Sequence, residues 1–354
     1  MTAAPLRLIL DTDPSAGIPG ADVDDVLALA LAVGSPEIRL EGVTVVHGNV
    51  ELEDGVASAL AALEALGRPD VPVYAGAARA LIRDRAEVSA FLRARRDDPL
   101  AHELWRGVPR PAPGRTARAG SAAAFIAETV LASPGEVTLV PIGPLTNVAT
   151  ALLLEPGVAT AVRRIVFMGG NLQCTHPGVA PVEFNVANDP EALHVVLASG
   201  APLTMIGLDV TTRTHLTPEQ LAAVADADTP AARLVRRIAA PWIRFVQARR
   251  GIPGCWLHDP LAVAAAVEPG LVRTERLEVG VELRGEATYG LTLARRPGMA
   301  AGIRPPRGGP VDVAVTVDEP GFMRRFLPAV TRALAAGPAA SGPEPRAEER
   351  RGTP

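Results

Sequence analysis

Five aspartates stand between residues 11 and 25, in the runs Leu8-Ile-Leu-Asp11-Thr-Asp13-Pro14 and Asp22-Val-Asp24-Asp25-Val-Leu-Ala-Leu. One or two acids at a helix start have an ordinary reason, since Asp is a favoured N-cap and an acidic first turn complements the helix dipole. That reason covers Asp22 or Asp24 taken alone. It does not cover five acids gathered at a strand end and the helix start facing it, where mutual repulsion calls for a cation or a network of donors. All the convergent groups are hard oxygens, and no His or Cys cluster shares their spacing. Zinc and copper are therefore disfavoured, and Ca²⁺ or Mg²⁺ fits. A further acid lies far downstream in Leu257-His258-Asp259-Pro260, again at the start of a helical run. One ion could draw ligands from both regions if the strand ends converge. Two polar islands complete the set, His47-Gly48-Asn49 and Glu183-Phe184-Asn185. Each amide alone reads as a turn residue. An amide, a carboxylate and a metal together make a receptor for vicinal hydroxyls, which both donate and accept.

The elements that must position these groups alternate along the chain. Leu6–Leu10, Leu40–Val46, Val71–Tyr74, Val137–Pro141, Arg164–Met168 and Leu203–Leu208 read as strands. Alanine-rich helical stretches lie between most of them: Asp24–Val33, Leu52–Leu66, Ser121–Leu131, Leu145–Leu154 and Pro190–Ala198. This alternation predicts an α/β fold, a mostly parallel open sheet flanked by helices. Loops after the strand C-termini then converge on one crevice, where such sheets place their ligands. The stretch 77–118, rich in Arg, Pro and Asp, reads as an irregular mobile loop or lid near that crevice. Helices at Pro218–Ala225 and Pro230–Arg249, then strands at Leu277–Leu283, Tyr289–Ala294 and Val311–Val317, are expected toward the C-terminus. Residues 1–335 are expected to form one domain, and 336–354 a disordered tail.

Composition narrows the function classes. A hydrophobic fraction of 48% with 21% charged residues suits an ordinary globular core. The net charge of −4 predicts no attraction to a nucleic-acid backbone. No lysine occurs, so all 35 basic residues are arginine. Two cysteines, Cys174 and Cys255, cannot build a disulfide framework, which points to a reducing, cytoplasmic setting. No signal peptide is visible and no apolar run approaches a membrane span.

The first two runs, Asp11-Thr-Asp13-Pro and Asp24-Asp25-Val-Leu-Ala-Leu, resemble the N-terminal signature of the inosine-uridine nucleoside hydrolase family. Further segments follow in the family's order: Gly48-Asn49-Val50, Pro141-Ile142-Gly143-Pro144-Leu145-Thr146-Asn147, Met168-Gly169-Gly170 through Glu183-Phe184-Asn185, and His258-Asp259-Pro260. Asn188-Asp189-Pro190-Glu191-Ala192 and Gly207-Leu208-Asp209-Val210-Thr211 also look like the family, and the match spans roughly residues 6 to 320. The resemblance implies hydrolysis of the N-glycosidic bond of a ribonucleoside by a Ca²⁺-bound water that Asp13 activates. It implies Ca²⁺ ligands at Asp13, Asp25, Asp259 and the Ile142 carbonyl, and ribose contacts from Asp24, Asn49, Glu183 and Asn185. His258 matches a residue that helps protonate the leaving base, and Asp11 a structural acid. A homodimer or homotetramer is usual in such proteins.

Two departures mark this chain. The family usually has a very short glycine turn before Asp24-Asp25; here Ser15–Val23 is longer by several residues, so Asp22 competes with Asp24 for the sugar contact. Before Glu183 the family commonly has a Gly-Asn pair whose amide is expected near the 5′-hydroxyl. This chain reads Gly178-Val179-Ala180-Pro181, with Gln173 and His176 as alternative donors. Trp242, Phe245, Trp256 and Tyr289 are candidates to stack on the base, with core packing the alternative for each. Two other readings stay open. One is a riboside-binding or regulatory paralogue without turnover. The other is an Asp-dependent phosphatase of the haloacid-dehalogenase type, which the Pro14-Ser15 sequence and the lack of lysine disfavour.

Overall fold

The computed structural model describes residues 4–84, 86–173, 180–298 and 308–336. Its strands are Leu6–Thr12 (β1), Ile38–Val45 (β2), Val73–Ala75 (β3), Val137–Pro141 (β4), Arg164–Met168 (β5), Leu203–Ile206 (β6), His215–Leu216 (β7), Cys255–Trp256 (β8), Val272–Val281 (β9), Thr292–Arg295 (β10) and Gly308–Val317 (β11). Nine of them form one sheet in the order β10-β9-β11-β6-β5-β4-β1-β2-β3, while β7 and β8 pair as a small ribbon. From β3 to β6 every pairing is parallel, and β11 joins β6 in parallel. The expected α/β architecture is thus the one found, with β9 antiparallel to both β10 and β11 at the far edge.

The strand order turns around at β1. The chain runs outward through β2 and β3 on one side of it, and through β4, β5 and β6 on the other. The gap outside the C-termini of β1 and β4 is therefore the topological switch point, where neither loop covers the strand ends. β1 continues two residues beyond Leu10 and carries Asp11 level with Thr44 of β2 and Pro141 of β4. Asp13 and Ile142 follow at the crevice.

Helix Asp24–Gly34 is apolar after its first two residues and buried along nearly its whole length. An amphipathic pattern would not suit it, because it packs between helices His258–Val267 and Glu319–Ala335 as well as against the sheet. Gly34 lets its C-terminal end approach closely: a Cβ there would stand 1.9 Å from the Ala329 carbonyl oxygen.

The segment 77–118 departs from the sequence reading. It contains two helices, Ala86–Arg96 and Pro99–Leu104, instead of being irregular throughout. The second begins on a signature hidden in the Arg- and Asp-rich run: Asp98 caps it by accepting Leu100 N–H at 2.8 Å, and Pro99 takes the first turn. Helix Pro230–Arg250 ends where Gly251 adopts φ 65°, and the helix Glu319–Ala335 closes the described chain. The tail from 337 onward lies outside the described residues.

Candidate active site

Asp13 follows directly on the end of β1 and is 1% exposed; neither it nor Asp25 is among the residues that line the cavity above the acids. Its Oδ2 accepts Asn49 N–H at 2.7 Å, and its own N–H donates to Asp25 Oδ1 at 3.1 Å. Two glycines make room for the carboxylate. A Cβ at Gly48 would lie 1.9 Å from Asp13 Oδ2, and one at Gly143 would lie 2.8 Å from Oδ1. Asp25 is tied to the same strand end, accepting Thr12 Oγ1–H at 2.5 Å, and it takes the Asn49 amide at 3.4 Å. Asp11 is a brace for the loops: its Oδ1 accepts from Thr44 at 2.5 Å and from Asn147 at 2.7 Å.

Asp259 arrives from the other end of the chain because β8 delivers the start of helix His258–Val267 to the same place. Asp24 Oδ2 accepts Asp259 N–H at 3.2 Å, so one acid holds the first turn of the helix that carries the other. The N-termini of helices Asp24–Gly34 and His258–Val267 both meet at this cluster and favour negative charge there. Carboxylate oxygens of Asp24, Asp25 and Asp259 lie within 4.8 Å of one another. Asp13, a ligand by resemblance, stands outside that trio, and Asp24, read as a sugar contact, stands inside it. The Ile142 carbonyl accepts the Asn185 amide at 2.8 Å.

Among the described residues no arginine or histidine forms an ion pair with Asp13, Asp24, Asp25 or Asp259, and Asp13 Oδ1 is buried with no hydrogen-bond partner. Buried charge in this state is costly without a cation or bound protons. Burial accordingly holds Asp13, Asp24 and Asp259 well above the usual carboxylate range, with neighbouring acids adding to the effect. Asp25 is pushed up to about 6 by burial, against the pull of its Thr12 and Asp13 hydrogen bonds. The all-oxygen donor set, the orphaned oxygen and the lack of an ion-pair contact among the described residues fit a hard divalent cation.

Above the acids lies a cavity of about 460 Å³. Asn49, Glu183, Asn185 and His258, all singled out from the sequence, line it, as do both Asp22 and Asp24. Asp22 Oδ1 accepts the adjacent Val23 N–H at 2.8 Å. Glu183 also caps helix Phe184–Asn188, accepting N–H groups from Asn185, Val186 and Gly170 at 2.8, 3.0 and 3.1 Å. These donors oppose the burial that raises its pKa. Burial pushes the His258 imidazole down to about 4, with Asp22 opposing and Arg250 reinforcing, so it is neutral at pH 7. Its Nδ1 lies 2.7 Å from Thr211 Oγ1. If that hydroxyl donates, Nε2 carries the proton.

Of the four aromatic candidates only Trp256 lines the cavity. Trp242 and Phe245 stack in the core at 5.8 Å, and the Tyr289 hydroxyl donates to Glu191 at 2.5 Å. The sequence reading missed Phe91 and Arg95 of helix Ala86–Arg96, and Arg250, all in the cavity wall. Arg250 is the last residue of helix Pro230–Arg250, and the Gly251 that stops the helix was the local signal in the sequence. Its guanidinium lies 5.3 Å from the Trp256 ring and 5.8 Å from that of Trp242. Ala180 and Val182 present apolar surface where an amide was sought for the 5′ end; Gln173 is not in the wall, and His176 lies outside the described residues.

Comparison with known proteins places the chain in a family. The family model for inosine-uridine preferring nucleoside hydrolase matches residues 8–324. The chain is 32% identical to uridine nucleosidase 1 of Arabidopsis thaliana over 324 residues, covering 90% of each chain. It is 32% identical to the pyrimidine-specific ribonucleoside hydrolase RihB of Escherichia coli over 319 residues, covering 89% of this chain and 94% of that one. Among solved structures, the purine-preferring ribonucleoside hydrolase from Gardnerella vaginalis superposes with a TM-score of 0.79 at 35% identity, covering 93% of this chain and 99% of that one. The chain therefore belongs to the inosine-uridine preferring nucleoside hydrolase family, a family of N-glycosidic hydrolases.

Proposed function

We propose that this protein hydrolyses the N-glycosidic bond of a ribonucleoside to ribose and free base. The observation that carries the reading is the buried carboxylate cluster at the cavity, which among the described residues forms no ion pair with an arginine or histidine. Asp25 and Asp259, with Asp13 and the Ile142 carbonyl, would hold the divalent cation, which the family resemblance makes Ca²⁺. Asp24 lines the cavity and joins the acidic trio, so it serves cation and sugar together. When bound, the cation supplies Lewis acidity toward a water and an anchor for vicinal hydroxyls.

Asp13, which the family resemblance makes the general base, takes the proton from the attacking water. As water adds to C1′, the C–N bond breaks and its electron pair passes to the base nitrogen. Positive charge grows on the sugar in the transition state, and the surrounding carboxylates stabilise it. Asn49, Glu183 and Asn185 orient the ribose. The departing base meets His258, which is neutral and donates a hydrogen bond through Nε2–H, and the Arg250 guanidinium, which faces the developing negative charge. A cytoplasmic homo-oligomer is the setting that the two-cysteine composition and the resemblance support.

Release of free ribose from a panel of purine, pyrimidine and modified ribonucleosides, with and without a chelator, tests the reaction. Chelator-sensitive release from at least one substrate is expected. Tight binding of a nucleoside with no ribose released would instead make the protein a riboside-binding paralogue, and hydrolysis of a generic aryl phosphate would favour the phosphatase reading.

A further inference from the structure

His47 is not among the residues that line the cavity, and it is fully buried just past the end of β2, two residues before Asn49. Its Nε2 lies 3.1 Å from Thr146 Oγ1, at the start of helix Thr146–Leu154. Thr146 in turn donates to Asp189 Oδ2 at 2.7 Å. That same oxygen accepts Leu81 N–H at 2.9 Å, and Asp189 Oδ1 accepts Ala192 N–H at 3.0 Å as the cap of helix Pro190–Ala198. Every one of these partners of Asp189 is a donor, so the carboxylate acts as an acceptor throughout. The single hydroxyl proton of Thr146 is committed to it, and Thr146 must therefore accept from His47 Nε2–H.

We propose that the His47–Thr146–Asp189 chain is a positioning relay for the catalytic carboxylates, and that it acts through Asn49. The backbone between the imidazole and Asn49 is a single glycine, Gly48, pressed against Asp13 with no room for a Cβ. Anchoring the imidazole fixes that short loop, and with it Asn49 N–H at 2.7 Å from Asp13 Oδ2 and the Asn49 amide at 3.4 Å from Asp25 Oδ2. Asp189 extends the anchor to Leu81, in the segment that leads into the cavity-lining helix Ala86–Arg96. One hydroxyl and one carboxylate thus register the base loop and the roof of the pocket on the same frame. The assignment of Asp13 as the base rests on the function proposed above.

The test compares His47→Leu, Thr146→Val, the double variant and His47→Gln, all with kcat and KM measured on folded protein at saturating Ca²⁺. His47→Leu and Thr146→Val are each expected to lower kcat about 10- to 100-fold with KM within about threefold, because a small misplacement of the base costs rate without removing substrate contacts. The double variant should lose no more than either single one, since both cut the same link. His47→Gln, whose amide N–H can reach the same acceptor, should stay within about threefold of wild type. Wild-type kcat in His47→Leu, multiplied losses in the double variant, or a His47→Gln as slow as His47→Leu would each overturn the relay. If His47→Leu does not fold, Thr146→Val reads the same link with the imidazole in place. The ¹⁵N spectrum of the imidazole, assigned by difference from His47→Gln, should show Nε2 protonated; a His47 carrying its proton on Nδ1 alone refutes the relay without recourse to activity. A wild-type protein inactive on every ribonucleoside would defeat the proposed reaction, and the tautomer would still decide the relay.

Discussion

Cation binding at the acidic cluster should expel protons, and the structure sets a minimum for the effect. Asp25 is pushed up to about 6 by burial. The native protein without a cation therefore keeps a proton that the unfolded chain has already released near pH 4. In sign, the stability of the cation-free protein falls as pH rises from about 4 through about 6 and stays low above it. A cation reverses this by taking the proton's place. With one proton on Asp25 to displace, apparent affinity at pH 5 should be about tenfold weaker than at pH 7.5, or about 1.4 kcal/mol. Asp13, Asp24 and Asp259 are also held above their ordinary range, which makes the dependence steeper. Calorimetric titration with Ca²⁺ at several pH values, in two buffers of different ionisation enthalpy, measures both affinity and protons released. At least one proton per ion is expected near pH 5, together with a larger gain in Tm from Ca²⁺ at pH 7.5 than at pH 5. An affinity that changes less than threefold between these pH values, with no proton release, would refute the reasoning.

Other substitutions separate chemistry from framework. Asp13→Asn should lower kcat about 10²- to 10⁴-fold in a ribose-release assay while Ca²⁺ still binds in the calorimeter, because a general base is removed and the acidic trio is kept. Gly48→Ala places a Cβ 1.9 Å from Asp13 Oδ2 and should cut kcat at least about tenfold, with a loss of about 1–3 kcal/mol in denaturant unfolding. Gly34→Ala sets a Cβ equally close to the Ala329 carbonyl, far from the cavity; it should lose similar stability and keep kcat per folded molecule. Arg250→Gln should slow a ribonucleoside by about tenfold or more yet leave an activated aryl riboside nearly unaffected, since only the poor leaving group needs the charge; equal losses on both substrates would contradict that role.

The alternation of strands and helices was legible because each periodic run carries its own pattern, and β4, β5 and helix Pro190–Ala198 fall where that pattern places them. The acids announced a cation site for a similar reason: repulsion among neighbours in sequence is visible without coordinates. Asp259, 234 positions beyond Asp25, could be joined to them in sequence only on the condition that the strand ends converge, or through family resemblance, because the approach of two helix N-termini is a packing event. Helix Ala86–Arg96 escaped notice since its charged residues mask the helical pattern of its few apolar ones, and so the cavity wall it builds was missed too. The His258 environment belongs to the same class. An imidazole reads as a group that titrates near neutrality in sequence, and only burial, reinforced by Arg250, takes its pKa down to about 4 and keeps it neutral well below pH 7. Residue types and spacing thus determined the kind of chemistry and the strands that carry it. Which carboxylates meet, which stay without an ion pair and which cations line the cavity depend on distances set by the packed sheet and helices, and those arise only in the folded chain.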